Sequence, residues 1–201
     1  MNPTQELSQE LVREFVMAAH SVKPENIEKV KSLYNQYPAL LNALYIKNTE
    51  TALNAAGHSG ARETAQFLVS KGAPLDIHAA AMLGLTEEVQ AFLDRDPGLA
   101  NAKGVHNTSA LYHAALSGKT EVADLLPAQG GHEGIGRALH GATKFGHTAM
   151  VKRLLDYGID DLNFEDWADP PYDKKKTPLR VAVEKGYEDI ATMIKEKGGA
   201  M

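Results

Sequence analysis

The 201-residue chain contains no cysteine, which excludes disulfides, thiolate nucleophiles, zinc knuckles and iron–sulfur ligation together. It is also short of positive charge: 21 Lys and Arg stand against 26 Asp and Glu, a formal net charge of −5. The longest basic run is Lys174-Lys175-Lys176. Wrapping nucleic acid needs a basic stripe that displaces counterions, and an anionic membrane surface needs a basic patch, so neither partner is expected. No segment approaches the ~18 uninterrupted apolar residues of a membrane span. The opening MNPTQELSQELVREFVMAAH lacks the basic start and apolar stretch of a signal peptide. With thiols absent as well, a cytoplasmic address is expected. What is present is ordinary for a globular chain, 43% hydrophobic and 23% charged residues, enough for folding without a staple.

The chain has an internal period. TALNAAGHSG from Thr51, LDIHAAAMLG from Leu75, SALYHAALSG from Ser109, RALHGATKFG from Arg137 and TPLRVAVEKG from Thr177 share one pattern. An apolar anchor stands third (Leu53, Ile77, Leu111, Leu139, Leu179), and Ala follows three residues later (Ala56, Ala80, Ala114, Ala142, Ala182). Gly then closes each segment (Gly60, Gly84, Gly118, Gly146, Gly186). Anchor and Ala share a helix face, the small Ala admits a neighbouring helix, and Gly ends the helix in the left-handed region. A second amphipathic pattern follows each Gly, as in TEEVQAFLDRD and AMVKRLLDYG. Thr86 and Thr120 are read as caps of two of these helices. FVMAAHS with NIEKVKSLYNQYP makes a first, unanchored unit.

These residues resemble the ankyrin repeat, whose hallmark is T-P-L-H-x-A-A-x-x-G followed by a second helix and a closing turn. TPLRVAVEKG and RALHGATKFG are close matches, and SKGAPLD and LDYGIDD are similar to the closing turn. The resemblance runs from about Phe15 to Gly199. It implies an all-α ankyrin-repeat solenoid of about six helix-pair units with irregular fingers, forming a single domain over 1–201. The units fall at about 11–48, 49–74, 75–107, 108–135, 136–175 and 176–199. The chain departs from the family in its Gly-to-Gly spacings of 24, 34, 28 and 40, against 33 or so. Three longer connections, Leu40–Thr49, Leu99–Thr108 and Ile159–Lys176, are therefore expected to form fingers, with a tight turn between Gly72 and Ile77. In the longest, Pro170-Pro171 forces a local extended path.

In an ankyrin stack the short helices line the concave side. That frame places Met82, Leu83, Leu116 and Phe145 in an apolar strip beside the small Ala55, Ala79 and Gly141. The strip is expected to act as a ligand or peptide groove bounded by Tyr45, Val105-His106 and Trp167. Tyr45, Trp167 and Tyr172 fall in fingers as candidate anchors, although Trp167 could equally pin its own loop. Tyr34, Tyr37 and Phe92 fall on back helices as core.

Eight histidines are present. The resemblance gives His78 and His140 the family's structural role of bonding a neighbouring repeat's backbone, and His147 a capping role. His20, His58 and His113 fall on the concave side and His106 at the tip of KGVHNTS, where imidazole can bind a carboxylate, move a proton or ligate metal. No H-x-x-x-H or H-x-H pair exists, and the nearest carboxylates in the frame, Glu184 and the finger acids, lie several repeats from His58. No metal site and no cofactor are read from the sequence. Ser59 and Ser117 sit near His58 and His113, but neither lies in G-x-S-x-G. GHEGIG at Gly131 lacks a following Lys-Ser/Thr and reads as an inter-repeat turn. The first reading is a binding module for a protein or peptide partner, using Tyr45, His58, Met82, Leu83, His106, His113, Leu116, Lys144, Phe145 and Trp167. The alternative is a small-molecule site in which His58 or His113 with Lys144 performs acid–base chemistry.

Overall fold

Inner helices begin where a short polar side chain can satisfy the first free amides. Ser8, Thr51, Asp76, Ser109 and Thr177 each accept a hydrogen bond from the amide three residues on, at 2.7–3.3 Å. Such a cap contributes about 1 kcal/mol. They open α1 (Gln9–Ala19), α3 (Ala52–Ser59), α5 (Ile77–Leu83), α7 (Ala110–Ser117) and α11 (Pro178–Glu184). α9 (Ile135–Lys144) starts after Gly134 without a side-chain cap. The outer helices are α2 (Pro24–Gln36), α4 (Arg62–Ser70), α6 (Thr86–Arg95), α8 (Thr120–Ala128), α10 (Thr148–Tyr157) and α12 (Glu188–Glu196). The caps expected at Thr86 and Thr120 are not there. Both residues are the first inside their helices, and Leu85, whose side chain has no hydrogen-bond acceptor, stands at the N-cap of α6.

This architecture comes from a computed structural model that describes residues 7–128, 131, 134–167 and 174–201. Among them the twelve helices form six pairs, and each inner helix packs on the next in the order α1, α3, α5, α7, α9, α11. The inner helices are lined with small residues, as in ALNAAGHS and IHAAAML, so their backbones approach closely. Buried apolar side chains form two clusters that meet at α5. Ile77, Ala80 and Ala81 face the later units, while Ala79, Met82 and Leu83 face the earlier ones.

Three fingers leave the stack where the long connections predict them. Short 3₁₀ turns at Pro38–Asn42 and Pro97–Asn101 lead into the first two. Each finger closes with one antiparallel bridge, Tyr45 to Glu50, Lys103 to Ser109 and Asp166 to Lys176. Gln9 of α1 holds the first finger at both edges, donating from Nε2 to the Leu44 carbonyl and accepting at Oε1 from the Ile46 amide. The link from α4 to α5 carries no finger, as expected from the 24-residue spacing. Pro170-Pro171 and Tyr172 of the third finger, and His132-Glu133 of the GHEGIG turn, lie outside the described residues.

Candidate functional site

The bridge that closes the first finger turns Glu50 inward, where it is 1% exposed. Its Oε1 accepts from Asn48 Nδ2 at 3.0 Å, and its Oε2 accepts from His58 Nε2–H at 3.1 Å. Burial alone would raise the Glu50 pKa. The hydrogen bonds from His58 and Asn48 and the neighbouring imidazoles outweigh it and hold the carboxyl below its ordinary value. An ionised carboxylate only accepts, which assigns the proton of His58 to Nε2.

His106, from the tip of the second finger, brings its Nε2 to 3.7 Å from the same Oε2. Its ring lies edge-on to that of His58, centroids 4.7 Å apart, and His20 of α1 packs on His58 at 4.8 Å. Burial followed by the charge of His58 lowers the pKa of both, that of His20 to about 4. Two of the backbone positions here are unusual. Thr49 and His106 have φ of 54° and 57°, the left-handed region that a β-branched residue such as Thr rarely occupies.

The cluster is braced from later repeats. Tyr112 of α7 donates its hydroxyl to the His58 carbonyl at 3.0 Å. Arg137 of α9 stacks on the Tyr112 ring and donates to the His106 carbonyl and, at 2.7 Å, to Asp166 of the third finger. Beneath His58, a void of about 20 Å³ is lined by Gly57, His78, Val105 and His113 among others. That is room for a water or two and not for an organic substrate.

The sequence frame needs correction here. It leaves Met82, Leu83 and Leu116 open as a groove floor, but all three are buried. The stack curls until Phe145 of the fifth unit lies over Gly60 of the second, and Phe145 and Tyr112 pack against this strip. Arg62 adds to the closure by donating to the carbonyls of Met82, Leu83 and Ser117. Tyr45 likewise turns into the core and does not stand at a finger surface. His113 is interior rather than concave, donating Nδ1–H to the Ser109 carbonyl at 2.9 Å. Lys144 lies half-buried with its Nζ 5.7 Å from the Phe145 ring. Trp167 is exposed, with Lys175 over its ring. Tyr34, Tyr37 and Phe92 pack against the core as expected.

The carboxylate also proves closer than the frame allowed. The sequence frame places the nearest carboxylates several repeats from His58, yet Glu50 precedes the helix that carries it. Glu50, Tyr112, Arg137 and Arg62 were missed. Only the place of Glu50, beside a repeat start and eight residues before His58, offered a signal. Of the structural histidines, His78 bonds the Ala102 carbonyl through Nε2 at 3.1 Å. His147 bonds the Leu116 carbonyl and so closes the end of α7, not the start of its own helix. His140 is buried at the equivalent place, but its Nε2 has no hydrogen-bond partner among the described residues.

His113 sets a pH limit on stability. Burial, and then the neighbouring His78, pushes its pKa down to about 3 from 6.5. The fold favours the neutral ring, so this contribution is intact above pH 6.5 and is lost as pH falls toward 3. His113→Gln is expected to flatten the fall in urea midpoint between pH 6.5 and 4, and an unchanged slope would refute the assignment. The His113 share of the loss over the full window reaches up to about 4 kcal/mol.

A family model of ankyrin repeats in three copies matches residues 131–200. No curated protein matches the chain. No described helix is long and apolar enough to cross a membrane. Ankyrin repeats generally mediate protein–protein interaction. Three copies of the ankyrin repeat cover residues 131–200, and helix pairs packed in the same order continue back to Gln9; the described fold is an all-α solenoid, consistent with ankyrin repeats.

Proposed function

We propose that this chain is a binding module that engages a protein or peptide partner with its fingers and the inner-helix side of the stack, rather than with a groove along its floor. One observation carries this reading. Among the described residues, the large apolar side chains left exposed are Leu44 and Ile46 on the first finger, Trp167 on the third, Met17 of α1, Val183 of α11, Val22 and Met201. None sits on an outer helix. Exposed Trp and aliphatic side chains on fingers and inner helices are the kind that bury themselves in a partner, and the covered strip at Met82, Leu83 and Leu116 leaves these positions as the apolar surface that can do so.

Peptides selected from a displayed random library against the intact chain test the proposal. Ile46→Asp and Trp167→Ala are each expected to weaken a selected binder by about tenfold or more, the size of an interface anchor. Lys152→Glu on the outer α10 is expected to leave it unchanged. Binding that survives both finger substitutions and falls with the outer-helix one would overturn the assignment.

A further inference from the structure

We propose that Glu50, His58 and His106 form a site for one divalent transition-metal ion, zinc being the species that suits them best. Their ligand atoms all lie within 4.8 Å of one another, two of the separations being 3.1 and 3.7 Å. A tetrahedral zinc ion with bonds of about 2.0–2.2 Å needs ligand atoms about 3.3–3.5 Å apart. The present spacing is therefore within a side-chain adjustment of coordination. Two imidazoles and one carboxylate select zinc and its transition-metal neighbours over magnesium and calcium, which prefer oxygen throughout.

Asn48 donates to Oε1 of Glu50, which leaves Oε2 facing His58 and His106. Metal binding at His58 Nε2 releases to solvent the proton that this nitrogen donates to Glu50. Tyr112 and Arg137 hold the main chain at His58 and His106 from outside, the supporting role that ligand-bearing backbone needs. The left-handed backbone at Thr49 and His106 costs of order 1 kcal/mol or more at each residue, and it is this backbone that points Glu50 and His106 at each other.

Three protein ligands leave the fourth tetrahedral corner open. The His20 ring packs on that of His58. An open corner is where a water or a partner's side chain binds. The ligands come from the first finger, α3 and the second finger, so the ion would tie together two fingers 56 residues apart in sequence. This rests on the cluster alone and not on the peptide-binding reading.

The test uses the intact chain without an affinity tag, stripped with chelator and titrated calorimetrically with zinc chloride, then with cobalt(II) as an optical probe. The expected result is one ion per chain at micromolar or tighter affinity, tetrahedral cobalt absorption and a raised melting temperature. His106→Asn removes a ligand from a side chain that is 46% exposed, so the fold survives. It is expected to weaken binding about tenfold or more, as is Glu50→Gln, while Glu63→Gln on the surface of α4 has no effect. No saturable binding by the wild-type chain, or equal affinity in His106→Asn, would overturn the site.

Discussion

Leu111→Ala is expected to lower the unfolding free energy by about 3 kcal/mol, within the range measured for fully buried leucines. Leu111 is fully buried at the centre of the row, on a helix that packs against both α5 and α9. Its core cluster is rich in alanine, with Ala80, Ala81, Ala114, Ala115 and Ala138 beside larger side chains such as Leu126 and Leu139. The many alanines of this cluster have no longer side chains to swing into the space, so much of the cavity stays open. Repeat stacks are held only by neighbouring units, so a fault at α7 weakens two interfaces. Ile190→Ala, in the last outer helix, weakens the end of the row. Urea denaturation followed by circular dichroism separates the two. The first is expected to lower the midpoint of the whole transition, and the second to detach the last unit first, as a shallow early phase. A loss under about 1 kcal/mol at Leu111 would show that the core does not pass through α7.

Gly60→Ala is expected to destabilise the protein by about 2 kcal/mol, by two routes that can be measured apart. Gly60 ends α3 with φ of 79°, which an alanine adopts at a cost of about 1 kcal/mol. The added Cβ would also stand 2.7 Å from Cζ of Phe145, and the ring would have to move off the concave surface. Phe145→Ala removes that obstacle. A double-mutant cycle is therefore expected to show Gly60→Ala costing about 1 kcal/mol less in the Phe145→Ala background. A coupling near zero would mean that Phe145 does not lie over Gly60 in solution and that the concave floor is open.

That closure is also where sequence reading stopped. The six pairs and three fingers were legible because each is written locally: a cap, an anchor, an alanine and a glycine within ten residues, then a long or a short connection. The curvature of the row is not local. It accumulates from close approaches between successive inner helices, and a small change at each decides whether Phe145 reaches Gly60. A periodic frame takes the stack as gently curved and leaves Met82, Leu83 and Leu116 exposed. The same blindness hid the cluster. Glu50, His58 and His106 come from two fingers and a helix, and their meeting depends on left-handed backbone at Thr49 and His106 that no propensity favours. His58 was legible as a candidate because it lies on an inner helix. Its carboxylate partner was not, because finger acids look like solvated loop charges until the loop is folded.

Arg137 holds the His106 carbonyl with one arm of its guanidinium and Asp166 with another. The second and third fingers therefore share one mechanical pin, and neither can be displaced while the other keeps its full restraint. A load applied near Trp167 draws on Asp166, and slack created there passes through a single side chain to the loop that carries His106. Such coupling needs no movement of any helix. The solenoid can stay rigid along its length while its projecting loops shift in concert, as teeth on a common bar rather than as independent hairs.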